Sequence, residues 1–147
     1  MVSRQVVAPA TDRDSAPWWD ALTRHELVVQ RCADCAVLRW PPRELCGRCG
    51  NARWTWARPA ATGTVASWNV TWRTPIRDAQ TPYVVVLTRL GDQDDILIPG
   101  GFAGPPSGEG LAVGAPVVAV FRDIEVGAED APLTLLDWRL ADSEVKS

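Results

Sequence analysis

Apolar positions first fall into a helical rhythm between residues 15 and 24, where Trp18, Trp19 and Leu22 share one side and His25 continues the spacing. Ser15 or a neighbouring Asp can cap the amino end, and Pro17 suits the first turn, so the segment predicts a short amphipathic helix. The period then shortens. Residues 27–31 read as a β-strand, 37–40 as its return, stopped by Pro41 and Pro42, and 53–56 as a third strand. Beyond Pro59 the chain becomes a succession of β runs. Residues 63–72 alternate, which places Thr64, Ala66, Trp68, Val70 and Trp72 on one predicted face. Residues 83–88 form an unbroken apolar run of the kind buried on both sides, and 96–98 follow an acidic turn. Gly100 and Gly101 permit a bend, and 117–121 and 134–140 supply the last two runs. Five such strands linked by Gly and Pro suit a small closed Greek-key barrel.

This pattern divides the chain into a flexible arm (1–14), a helix with its lead-in strand (15–30), a ribbon (31–58), a barrel (59–141) and a polar tail (142–147). The predicted fold class is mainly β, with one short helix.

The ribbon carries all four cysteines, Cys32, Cys35, Cys46 and Cys49, spaced C-x2-C-x10-C-x2-C. Two residues between thiolates let one tight turn bring both sulfurs to about 2.3 Å from one ion, and two such turns close a tetrahedron. The spacing therefore predicts a structural Zn²⁺ site with no coordination position left for chemistry. The competing reading is a pair of disulfides, which an oxidising compartment favours. Residues 1–5 (MVSRQ) begin no apolar run of the signal-peptide kind, so a cytoplasmic chain with reduced thiols is expected. No stretch approaches the roughly 20 apolar residues that cross a bilayer.

Charge is unevenly placed. Residues 1–60 hold nine arginines against six carboxylates, whereas 61–147 hold six cations against twelve, for a net charge of −3. Arg39, Arg43, Arg48, Arg53 and Arg58 cluster around the ribbon, interleaved with Trp40, Trp54 and Trp56. Guanidinium and indole together suit anionic, planar ligands: single-stranded nucleic acid on a barrel, or a nucleotide-bearing cofactor such as coenzyme A. The acidic barrel half argues against a long polyanion groove. The plainer alternative is that these arginines solvate the ribbon and offset four thiolates. Catalytic candidates are sparse, because the chain has one histidine and one tyrosine. His25, at a helix end, has a structural explanation in the helix dipole. Asp92, Asp94 and Asp95 lack the Gly and distal Glu of a calcium loop, and Asn69 begins a glycosylation sequon inside a predicted strand.

Several short motifs, taken in order, resemble a known family. They are Trp18-Trp19, Gln30-Arg31-Cys32, Trp40-Pro41-Pro42-Arg43, the segment 61–68 (ATGTVASW), Pro82-Tyr83 and the segment 111–117 (LAVGAPV). Together they resemble the zinc-ribbon/OB-fold acyl-CoA-associated proteins over residues 15–140. Ala36 and Gly47 depart from the Gly and Pro frequent there, and Ala36 is expected to hold a left-handed conformation at about 1 kcal/mol. The resemblance implies a rubredoxin-like zinc ribbon followed by a five-stranded OB-fold barrel. It also implies a non-catalytic accessory subunit of a thiolase-superfamily enzyme, in a two-plus-two assembly, or of a hot-dog-fold enoyl-CoA hydratase. The ribbon and barrel would help to hold the pantetheine arm of acyl-CoA, with Trp40, Arg43 and Arg73 as the expected contacts flanking the ribbon–barrel junction. The reactions implied are thiolysis, C-acyl transfer, or retro-aldol cleavage of steroid side-chain CoA thioesters; an arginine-rich chain with a single lysine, Lys146, suggests a high-GC genome and leans towards the last.

Overall fold

The computed structural model describes residues 9–91, 93, 95–125 and 133–141. Helix α1 (Ala16–Thr23) is followed by β1 (Val29–Cys32), β2 (Leu38–Arg39), β3 (Trp54–Ala57), β4 (Thr62–Thr71), β5 (Tyr83–Leu90), β6 (Leu97–Phe102), β7 (Pro116–Ile124) and β8 (Leu133–Leu140). Most of the expected arm, together with Asp92, Asp94 and the tail, lies outside the described residues. No helix among the described residues is long and apolar enough to cross a membrane.

Order begins before Ser15. The Asp12 carboxylate accepts the Ser15 N–H at 2.7 Å, and the Ser15 hydroxyl accepts the Asp12 N–H at 3.1 Å, a reciprocal cap one turn ahead of α1. The helix ends with His25 at a positive φ of 56°. His25 N–H reaches Leu22 O at 2.8 Å and Glu26 N–H reaches Ala21 O at 2.9 Å, the paired bonds of a Schellman ending. Trp18, Ala21 and Leu22 form its buried face, in the core that also holds β8 residues Leu136 and Trp138.

The ribbon is an antiparallel sheet in the order β2-β1-β3. The remaining strands close in the order β4-β5-β6-β8-β7, with β6 and β8 parallel and the other pairs antiparallel. This is a mainly β chain carrying a zinc-ribbon element and a closed five-stranded barrel of OB type. One apolar core joins Trp18 and Leu22 of the helix, Val29 and Leu38 of the ribbon, and Val65, Val86, Ile98 and Trp138 of the barrel.

Three details of the predicted barrel differ. A bulge between Val65 and Ser67 in β4 shifts the register, so Val65 (opposite Thr88) shares a face with Trp68 (opposite Val86) and Val70 (opposite Val84), while Thr64 falls on the other face; a strict alternation cannot show such a slip. Strand β5 is buried on one face only, with Val84, Val86, Thr88 and Leu90 inside and Tyr83 and Val85 left 37 % and 41 % exposed. Gly100 and Gly101 do not bend the chain but lie within β6. A Cβ at Gly100 would sit 2.6 Å from Leu136 O, and one at Gly101 would sit 2.5 Å from Asp137 Oδ1, so close approach of β8 selects glycine.

Candidate metal centre and junction pocket

Two matching turns build the metal centre. Each C-x-x-C closes when the N–H after the second cysteine returns to the first cysteine's carbonyl: Ala36 to Cys32 at 3.0 Å and Gly50 to Cys46 at 2.9 Å. The residue making that bond is left-handed in both turns, with φ of 63° at Ala36 and 75° at Gly50. A second pair of bonds, Cys32 N–H to Val37 O and Cys46 N–H to Asn51 O, completes the likeness.

The four sulfurs lie within 4.8 Å of one another, with Cys32 to Cys49 at 3.5 Å and Cys35 to Cys46 at 3.7 Å. A tetrahedron with metal–sulfur bonds of about 2.3 Å has edges of about 3.8 Å, so the cluster fits that ion. Electrostatics points the same way. Backbone N–H groups of Cys49 and Arg48 draw the Cys46 thiol down to about 6, and those of Cys35 and Asp34 lower Cys32. The Asn51 N–H pulls Cys49 down, but its hydrogen bonds to the other sulfurs, Cys32 foremost, and burial outweigh this and push it up to about 12. Four thiols cannot all ionise side by side without a cation; a divalent ion removes the conflict.

Beside the cluster, at the ribbon–barrel junction, lies a pocket of about 230 Å³ lined by Leu38, Arg39, Trp40, Arg43, Cys46, Arg48, Asp95 and Ile96. Gln30 organises its floor. This residue is fully buried in β1, and its Oε1 accepts both Arg39 Nε–H at 2.7 Å and Arg43 N–H at 2.9 Å. Gln93, in the β5–β6 turn, pairs with the backbone of β2 by receiving Leu38 N–H at 2.9 Å and donating to Leu38 O at 2.8 Å. One amide thus takes the place of a further strand.

Of the three expected CoA contacts, Trp40 and Arg43 share this pocket and Arg73 does not. Gly63 of β4 pairs with Leu90, next to the Gln93 turn, whereas Thr71 pairs with Tyr83 at the far end, roughly 25 Å along the strand. Arg73 follows that far end, so it does not flank the junction. Sequence reading also missed Gln30, Arg39 and Gln93 as organisers. The signal for Gln30 was a lone amide following the apolar residues 27–29; Gln93 carried none.

A broader groove of about 560 Å³ runs over the outer barrel face between Pro82, Tyr83, Val85, Phe102, Pro106, Arg122 and Asp137. Asp137 is buried there and accepts a two-pronged pair from Arg122, at 2.6 and 3.3 Å. His25 is engaged elsewhere: its Nε2 lies 3.0 Å from Asp123 Oδ1 and its ring stacks on Phe121.

Comparison with known proteins places these features in context. The ChsH2 rubredoxin-like zinc ribbon domain family matches residues 19–55. A chain of the solved Ltp2-ChsH2(DUF35) aldolase is 34 % identical, with a TM-score of 0.77 over 90 % of this chain and 98 % of that one. A DUF35-family protein of unknown function from Sulfolobus solfataricus shares the fold at 14 % identity and a TM-score of 0.58, over 89 % of this chain and 87 % of its own. Among curated proteins, a "Probable enoyl-CoA hydratase alpha subunit" of Thermomonospora curvata is 35 % identical over 93 % of this chain. The 3-oxo-4,17-pregnadiene-20-carboxyl-CoA hydratase alpha subunit of Mycobacterium tuberculosis is 29 % identical over 80 % of it. The chain spans 37 % of the length of each of these two curated relatives.

Proposed function

Because this chain belongs to the DUF35 family of ChsH2-like zinc-ribbon and OB-fold proteins, we propose that it is a non-catalytic accessory subunit of a thiolase-superfamily enzyme acting on acyl-CoA thioesters. Cys32, Cys35, Cys46 and Cys49 hold Zn²⁺ as a structural staple, and the ribbon–barrel junction helps to hold the CoA arm. The observation that carries this reading is the fate of the chain's candidate catalysts. The four thiols converge on one ion site, and the single histidine, paired with Asp123 and stacked on Phe121 at a helix ending, lines neither the junction pocket nor the groove. Bases and nucleophiles then belong to the partner. Retro-aldol cleavage of a steroid side-chain CoA thioester is the favoured reaction, supported by the likeness to a chain of an Ltp2-ChsH2 aldolase.

Co-expression with a thiolase-superfamily enzyme from the same genome should yield a stable complex, and the purified chain alone should give no thiolysis or aldol cleavage. Turnover by the isolated chain would refute the reading. In the complex, Arg43→Ala should raise the apparent KM for acyl-CoA with little change in kcat.

A second reading, an accessory part of a hot-dog-fold enoyl-CoA hydratase, is favoured by the names of the two curated relatives. Assaying the captured complex for hydration against carbon–carbon cleavage separates the two.

A further inference from the structure

Arg39 is only 6 % exposed and forms part of the junction pocket wall, yet none of the ion pairs among the described residues gives it a carboxylate partner. Its Nε donates to Gln30, its Nη2 donates to the Arg43 carbonyl at 3.0 Å, and its guanidinium lies 5.3 Å from the Trp54 ring. Nη1 is buried and has no acceptor among the described residues. Arginine cannot shed its proton, so a buried guanidinium with a free N–H is costly until an acceptor arrives. Arg43 and Arg48 line the same pocket, and neither side chain has an ion-pair partner among the described residues. Two negative groups adjoin them. Asp95 is held by Gln93 Nε2, and Cys46 belongs to the sulfur cluster; neither reaches Nη1.

We propose that this pocket is a binding site for a phosphate-type oxyanion, with Arg39 Nη1 as its buried donor and Arg43 and Arg48 as its flanking cations. Guanidinium groups from three chain positions suit a tetrahedral anion with several acceptor oxygens, and about 230 Å³ accommodates a pyrophosphate. That the phosphate is carried by coenzyme A rests on the function proposed above; the oxyanion site does not.

Calorimetric titration of the zinc-loaded full chain tests this with inorganic pyrophosphate and, separately, coenzyme A. Pyrophosphate should bind at low ionic strength and weaken with added salt. Arg43→Ala and Arg48→Ala should each weaken it about tenfold. Arg39→Gln should abolish it, and Arg77→Ala, the same charge change in the loop after β4, should leave it intact. Failure of pyrophosphate to bind the native chain, or undiminished binding in both the Arg43 and Arg48 variants, would overturn the proposal even if Arg39→Gln does not fold. Coenzyme A binding no tighter than pyrophosphate would leave the oxyanion site standing and remove the cofactor from it.

Discussion

Ala36 holds a left-handed backbone where the matching turn of the metal centre has Gly50. A Cβ in that region costs roughly 1 kcal/mol, partly offset because alanine loses less chain entropy than glycine on folding. Ala36→Gly should therefore stabilise the zinc-loaded protein by about 0.5 kcal/mol, read as a higher urea midpoint at constant slope. A titrating residue acts over a longer reach. The Thr134 hydroxyl, and after it His25, hold the Asp123 carboxyl below its ordinary value of 3.8. A depressed carboxyl stabilises the fold above its unfolded value, and that contribution disappears as pH falls through the folded value. Asp123→Asn should accordingly lower the melting temperature at neutral pH, with the gap to the native protein closing below about pH 4. A gap unchanged in acid would show that the helix-to-β7 contact does not depend on charge.

At the scale of elements, the decisive join is Gln93 lying alongside β2. Leu38 uses both backbone groups on it, and these two bonds tie the ribbon to the β5–β6 turn. Gln93→Ala should speed hydrogen exchange at Leu38 and cost about 1–2 kcal/mol, since two bonds are lost from a partly buried edge. Exchange at Val86, in the barrel, should be unaffected. This join was illegible in the sequence, because a glutamine amid acids in a turn looks solvated until tertiary structure brings a strand to it. The elements themselves were legible. Cysteine spacing, the prolines after Trp40 and the β runs at 83–88, 117–121 and 134–140 marked the ribbon and barrel by local rules. The bulge at Val65–Ser67 and the placement of Gly100 and Gly101 inside β6 were not, since each depends on the neighbouring strand rather than on its own sequence.

For the whole molecule, metal and core are linked: Val29 and Leu38 belong to the same cluster as Val86 and Ile98. Removing zinc with a chelator, or replacing Cys46 by Ser, should release the ribbon, and the barrel should melt earlier for want of the apolar cover. Zinc affinity should fall as pH falls, because protons compete with the ion for all four thiolates, Cys49 foremost, whose metal-free thiol is pushed up to about 12. A metallochromic indicator follows the release. The candidate site was half legible at this scale. Cysteines announce their partners by spacing, whereas Trp40, Arg43 and Arg73 looked equivalent until the strand register separated the last from the others.

The closed barrel has a further consequence. Each of its strands has a neighbour on both sides, though β4 meets β7 only at Thr62–Thr64 and β6 meets β8 only at Gly101 and Phe102, while in the ribbon β2 is covered by Gln93 and the outer flank of β3 has no strand beside it among the described residues. A visiting polypeptide that docks by lengthening the ribbon sheet must align with Trp54–Ala57, on the side away from β1.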